Sequence, residues 1–184
     1  MKPINDLPAT VRERLARIQL LLMDVDGVLT NGLIRINDRG IESKTFSTRD
    51  GLGLIWVRKF GLRTGVISGR NSTATLARCI DLQMDEVHLG QLHKLPVYEE
   101  ILKRLSLARE TIAYIGDDII DLPIITRAGI SAAPRDAHPE VLKRVDIVLD
   151  APGGSGAVRH FLDLWLQATN RWDAALEDIM NGNF

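Results

Sequence analysis

The chain has 184 residues, 45% hydrophobic and 26% charged, which is enough for one sizeable core and short for two, so a single domain over 1–184 is expected. A net charge of -1 gives no electrostatic reason to bind nucleic acid or an anionic membrane surface. The lone Cys79 excludes an internal disulfide and reads as a buried thiol, no apolar run approaches a membrane span, and residues 1–10 lack a signal peptide's apolar core, which predicts a cytoplasmic protein.

In chain order, residues 11–18 read as a short amphipathic helix. The apolar run Leu20-Leu21-Leu22-Met23 then empties into Asp24-Val25-Asp26-Gly27-Val28-Leu29-Thr30, the pattern of a central parallel strand ending in two carboxylates. Strand alternation would aim Asp24 and Asp26 the same way, at the carboxyl end of the sheet, where open α/β folds place their chemistry. Two like charges so close need a cation or a proton between them. The plainer alternative is a strand followed by an Asp-Gly turn. A hairpin is expected over 33–46, turning at Asn37-Asp38-Arg39-Gly40. Helices near 51–60, 72–80, 95–105 and 118–127 alternate with strands 64–67, 86–88, 112–115 and 130–132, which predicts a parallel sheet with helices on both faces. A last strand at 146–149 precedes Pro152-Gly153-Gly154-Ser155-Gly156 and a tail, about 152–184, with two helical stretches.

Three later stretches repeat the theme of polar residues at a strand end. Thr64-Gly65-Val66-Ile67 leads into Ser68-Gly69-Arg70, Lys94 opens the helix after Gly90-Gln91, and Ala113-Tyr114-Ile115 leads into Gly116-Asp117-Asp118-Ile119-Ile120-Asp121. These residue types suit phosphate ester hydrolysis, which must neutralise charge, position a nucleophile and protonate a leaving alkoxide. Asp24 would attack to give an aspartyl-phosphate, and Asp26 would act as acid and then as base. Asp24 and Asp117 suit the side-chain ligation of Mg2+. Ser68, with backbone N–H groups at a helix start, would cradle phosphate, and Lys94 would place a point charge on it. The competing readings are a helix cap for Ser68, an exposed helix lysine for Lys94, and first-turn acids for Asp117, Asp118 and Asp121. The last is the expected role of Asp118, whereas Asp121 stands open between orienting Lys94 and holding a metal water.

Taken together, D-x-D-G-V-L-T, S-G-R, the isolated lysine and G-D-D-x-x-D resemble the haloacid dehalogenase superfamily of phosphotransferases. The resemblance implies a Rossmannoid three-layer α/β sandwich, with the main-chain carbonyl of Asp26 as a third Mg2+ ligand. Many members carry a cap domain, whereas this chain has room only for the hairpin. An open site needs cover from a large substrate or another subunit, and Ile34, Ile36, Ile41 and Phe46 suit burial in an oligomer, the alternative being a hairpin folded onto its own domain.

Phe46-x-x-Arg49-Asp50-Gly51-x-Gly53, Gly90-Gln91-x-x-Lys94, Asp136-Ala137-His138-Pro139 and Pro152-Gly153-Gly154-x-Gly156-Ala157-Val158-Arg159 look more narrowly like the family of 3-deoxy-D-manno-octulosonate 8-phosphate phosphatases. That resemblance implies a small sugar-acid phosphate as substrate, a role in lipopolysaccharide biosynthesis, and a homotetramer whose hairpins surround an axis and whose tails reach neighbouring sites. It also implies substrate contacts from Ser47, Thr48, Arg49, Asp50, Gly51, Arg70, Arg78 and Lys94, with plain surface arginines as the alternative for Arg49 and Arg78. Three positions depart from the family: Ile55 where Arg or Lys is frequent, Ser155 for an arginine, and His160 for a glutamate. A phosphatase for a nonulosonate 9-phosphate therefore remains the second reading. A non-enzymatic partner-binding domain is the third, and the intact Asp24, Asp26 and Asp117 argue against it.

Overall fold

The structure, a computed structural model, describes residues 3–182, and the outermost ends of the expected 1–184 span and of the tail lie outside the described residues. In chain order it forms α1 (Ala9–Leu15), β1 (Leu20–Met23), β2 (Arg35–Ile36), β3 (Glu42–Ser43), α2 (Thr48–Arg58), β4 (Arg63–Ile67), α3 (Thr73–Asp81), β5 (Glu86–His88) and α4 (Lys94–Leu105). There follow β6 (Ile112–Ile115), α5 (Leu122–Ile125), β7 (Ile130–Ala133), α6 (Pro139–Leu142), β8 (Ile147–Val148), α7 (Ala157–Ala168) and α8 (Trp172–Met180).

β1 is buried along its whole length, and its alternation divides the interior into two layers. Leu21 and Met23 pack with Leu15 of α1, Val57 of α2, Cys79 of α3 and Phe161 of α7. Leu20 and Leu22 pack with Tyr98 and Ile101 of α4, Ile124 of α5 and Val141 of α6. Each leucine so buried stabilises the fold by about 2 kcal/mol relative to exposure. The result is the expected three-layer α/β sandwich. Its six strands are parallel, in the order β5-β4-β1-β6-β7-β8. The chain winds outward from β1 through β4 and β5, then crosses back to β6 on the other side. That reversal places the switch point, where such sheets open a crevice, at the carboxyl end of β1.

Two expected elements come out differently. The helix expected over 118–127 is a 3-10 turn, Ile119–Asp121, followed by the short α5, because Pro123 lacks an amide proton and fits only a helix's first turn. The hairpin is only two pairs long, Arg35 opposite Ser43 and Ile36 opposite Glu42. Among the described residues no third strand supports it, and a lone two-stranded ladder has little to hold it together. Its turn is closed by Asn37, whose Oδ1 accepts from the amides of Arg39 and Ile41 at 3.0 Å each. Ile34, Ile36 and Ile41 are exposed, whereas Phe46 packs on the core of its own chain. Among the described residues no helix is long and apolar enough to cross a membrane.

Candidate active site

Asp24 leaves β1, Ser68 leaves β4, Asp117 follows β6 by two residues, and Lys94 is the first residue of α4, so three strand ends and one helix start meet at one edge of the sheet. Asp24, Asp26, Ser68, Arg70, Leu92 and Asp117 line a cleft of about 290 Å³ there.

Lys94 is buried, not the exposed helix lysine its position alone would allow. Its Nζ lies 3.0 Å from Asp24 Oδ1 and 2.7 Å from Asp121 Oδ1. Burial alone would lower the lysine's pKa, but Asp24 and Asp121 more than offset it and the net displacement is upward. Asp121 is fully buried. Its Oδ1 also accepts from the Tyr114 hydroxyl at 2.7 Å, and its Oδ2 accepts from the amides of Asp117 and Asp118 at 3.0 and 3.3 Å. Tyr114, which nothing in the local sequence pattern marks out, is thus part of the site's support. Asp118 caps the 3-10 turn, accepting from the Ile119 amide at 2.7 Å, as its position predicts.

Burial raises the Asp24 carboxyl to about 6, with Lys94 opposing the rise and Asp121 adding to it. Burial, then the charges of Asp24 and Asp121, push Asp117 up to about 8. Oxygens of Asp24, Asp117 and Asp121 all lie within 4.8 Å of one another, and Asp117 Oδ1 is buried without a hydrogen-bond partner. Hard oxygen donors, an orphaned carboxylate oxygen and a carboxyl that ionises with difficulty together fit a divalent cation such as Mg2+. Asp24 and Asp117 are the side chains free to hold it. Asp121 has both oxygens engaged by Lys94, Tyr114 and two amides, and we assign it to positioning Lys94. Gly27 makes the convergence possible: it has φ +90°, and a Cβ there would fall 2.0 Å from Asp117 Oδ2.

Asp26 lines the same cleft, but strand alternation is not the cause. β1 ends at Met23, and Val25 to Thr30 form a tight turn in which the Val25 carbonyl accepts from the amides of Val28, Leu29 and Thr30. The Asp26 carboxylate is not among the clustered metal-type oxygens. It pairs with Lys44, from just beyond β3, and its Oδ2 lies 4.0 Å from Arg70 Nε. Lys44 is a second residue that motif reading overlooks.

Ser68 is buried, and its amide donates to the His88 carbonyl at 2.9 Å. It does not start a helix: Ser72, four residues later, caps α3 by accepting from the Thr75 amide at 3.4 Å. Ser68 Oγ accepts from the Arg70 amide at 3.3 Å, so its own proton is left to donate into the cleft. Among the other expected substrate contacts, only Arg70 and Lys94 stand with this cluster. Ser47 caps α2, accepting from the Asp50 amide at 3.3 Å, and with Thr48, Arg49 and the loop residues Gly154 and Ser155 it lines a separate shallow concavity. Asp50 points away from the cleft, accepting from the amides of Gly156 at 3.2 Å and Arg159 at 2.7 Å. It ties α2 to the start of α7. Gly51 leaves room for Arg78, which pairs with Asp81; a Cβ on Gly51 would lie 2.1 Å from Arg78 Nη2.

The loop before α7 braces the turn after β1. The Gly154 amide donates to the Val28 carbonyl at 2.9 Å, and a Cβ on Gly153 would lie 1.9 Å from the Gly27 carbonyl oxygen. Of the three departures, His160 is buried and its Nδ1 accepts from the Asp150 amide at 3.1 Å, a role in the fold. Ile55 stands half-exposed on α2. Cys79 is buried, and burial pushes its thiol up to about 11.

A parallel sandwich with an aspartate pair after β1, and a serine, a lysine and an acidic turn gathered around it, defines a haloacid dehalogenase-like hydrolase, and residues 82–162 match the family model of that description. Over 167 residues the chain is 40% identical to the 3-deoxy-D-manno-octulosonate 8-phosphate phosphatase KdsC of Escherichia coli K12, covering 91% of this chain and 89% of that one. The crystal structure of that phosphatase from Yersinia pestis superposes with a TM-score of 0.88 at 39% identity, over 90% of this chain and 89% of the other. The structure from Moraxella catarrhalis, in complex with magnesium, phosphate and KDO, gives 0.90 at 33% identity, over 92% and 97%. The chain belongs to the family of 3-deoxy-D-manno-octulosonate 8-phosphate phosphatases.

Proposed function

We propose that this protein is a Mg2+-dependent phosphatase that hydrolyses 3-deoxy-D-manno-octulosonate 8-phosphate to the free sugar acid and phosphate, in lipopolysaccharide biosynthesis. The observation that carries the reading is the buried Lys94, 3.0 Å from the Oδ1 of Asp24, which lines a cleft with Asp117 and Ser68. Lys94 keeps Asp24 aimed and offsets charge as an anionic phosphoryl group approaches. Asp24 attacks phosphorus while the sugar alkoxide leaves with a proton from Asp26, giving aspartyl-phosphate on Asp24. Asp26, now a carboxylate, takes a proton from water, which attacks the same phosphorus and frees phosphate and Asp24. Ser68 donates its hydroxyl proton to a phosphoryl oxygen. Bound Mg2+, held by the side chains of Asp24 and Asp117 and the main-chain carbonyl of Asp26, would neutralise the repulsion between carboxylate and phosphate dianion.

The chain acts as one domain over 1–184 in a cytoplasmic homotetramer, with hairpins and tails shared between subunits. Support comes from Ile34, Ile36 and Ile41, which stay exposed on and beside the two-pair ladder. Arg49 and Arg78, remote from the cleft lining, then serve as substrate contacts only across subunits. Ile55, where the family favours a basic residue, keeps a nonulosonate 9-phosphate as the second candidate substrate. The test is phosphate release with Mg2+ from the 8-phosphate, the 9-phosphate and simple sugar phosphates side by side. Preference for the first is expected, and equal weak activity on all of them would withdraw the substrate.

A further inference from the structure

Asp26, Lys44, Glu42 and Arg70 form a closed ring of alternating charge. Lys44 pairs with Asp26 and stands 3.6 Å from Glu42 Oε1, Arg70 pairs with Glu42, and Arg70 Nε returns to within 4.0 Å of Asp26 Oδ2. The Lys44 side chain is 2% exposed although it comes from the protruding hairpin. A cation so thoroughly removed from water has to be matched by partners, and these two carboxylates match it.

The ring treats the two Asp26 oxygens differently. Oδ1 receives the Lys44 ammonium, with the Thr30 hydroxyl only a marginal second contact at 3.5 Å. Oδ2 is buried and makes no hydrogen bond. A general acid and base needs that asymmetry: one oxygen anchored, the other free to meet the leaving oxygen and later the water. An ammonium can donate to Oδ1 in both forms of the group, whether as a carboxylate oxygen or as the carbonyl oxygen of the acid, so the anchor persists through the proton transfers.

We propose that Lys44 is a positioning residue for Asp26, carried by the hairpin, which anchors Oδ1 and leaves Oδ2 free for the proton transfer to the departing sugar oxygen. The inference rests on the phosphatase reading above. It makes the hairpin part of the catalytic apparatus of its own chain, whatever else covers it.

The test compares kcat/KM, which reports the steps through cleavage of the ester bond, on two substrates in the full-length protein with Mg2+. A sugar phosphate releases a poor leaving group that needs a proton, whereas p-nitrophenyl phosphate releases one that does not. Lys44→Met should lower kcat/KM on the sugar phosphate by about 100-fold and on the aryl ester by less than about threefold, a selective loss shared with Asp26→Asn. Lys44→Gln, close in length and uncharged, is the second variant if the first misfolds, and it should show the same selectivity. Equal losses on both esters, or no loss on either, would overturn the inference while leaving the phosphatase reading intact. A wild type that hydrolyses neither ester would overturn both.

Discussion

Lys94 Nζ stands between two buried carboxylates, 2.7 Å from Asp121 Oδ1 and 3.0 Å from Asp24 Oδ1, and the two contacts do different work. Asp121 fixes the ammonium from behind, with Tyr114 and two amides fixing Asp121 in turn. Asp24 faces the cleft, and its contact is the one a phosphoryl group would share.

Lys94→Met should therefore act on both activity and stability. Without the ammonium, kcat falls by at least about 100-fold, and two buried carboxylates lose their cation, costing about 3 kcal/mol. Steady-state kinetics and a urea midpoint measure the two effects. A variant of full stability with an unchanged kcat would contradict the assigned role.

Asp117 makes the metal-free protein sensitive to pH. Its carboxyl moves from the usual 3.8 to about 8 on folding, so the contribution of its proton is fully present below 3.8 and is lost as pH rises through 8. Between those limits the unfolded chain ionises Asp117 and the folded one resists, so metal-free stability declines as pH rises. Asp117→Asn, which has no proton to lose, should melt higher than the metal-free wild type at pH 8 and close to it at pH 4. Added Mg2+ should raise the wild-type melting temperature and leave the variant's unchanged. Thermal melts at the two pH values, with and without Mg2+, decide it; an equal Mg2+ effect on both proteins would remove Asp117 from the metal site.

Asp50 tests whether its family-implied role or its observed contacts prevail. Its two oxygens hold the amides of Gly156 and Arg159, so Asp50→Ala should cost about 2 kcal/mol in stability through the tie between α2 and α7. At temperatures where the variant is folded, KM should stay within about threefold of wild type. A large rise in KM at unchanged stability would return Asp50 to the substrate.

What could be read from the sequence follows from how local each signal is. The Leu20 to Met23 run, the alternation of strands and helices, and the placing of Asp24, Ser68, Lys94 and Asp117 at element boundaries all depend on short windows, and the sheet brings those boundaries to one edge. The contact between Lys44 and Asp26 spans 18 residues, and the bonds from Asp50 to the tail span 106 and 109, distances at which pattern carries no signal. Tyr114 occupies an ordinary buried strand position, and only its hydroxyl at Asp121 marks it. Alternation continues through Asp26 in sequence and so predicts an extension of β1, whereas the Val25 carbonyl, collecting three amides, bends the chain after Met23.

Phosphorylation of Asp24 in turnover is most directly measured by mass spectrometry of the Asp26→Asn protein, acid-quenched during reaction with the 8-phosphate and Mg2+. Attack survives in that variant while proton transfer is crippled, so a phosphoryl group should accumulate on Asp24 and be absent when Asp24→Asn is added. Phosphate released at the wild-type rate by Asp24→Asn, with no modified chain at any time, would contradict the account.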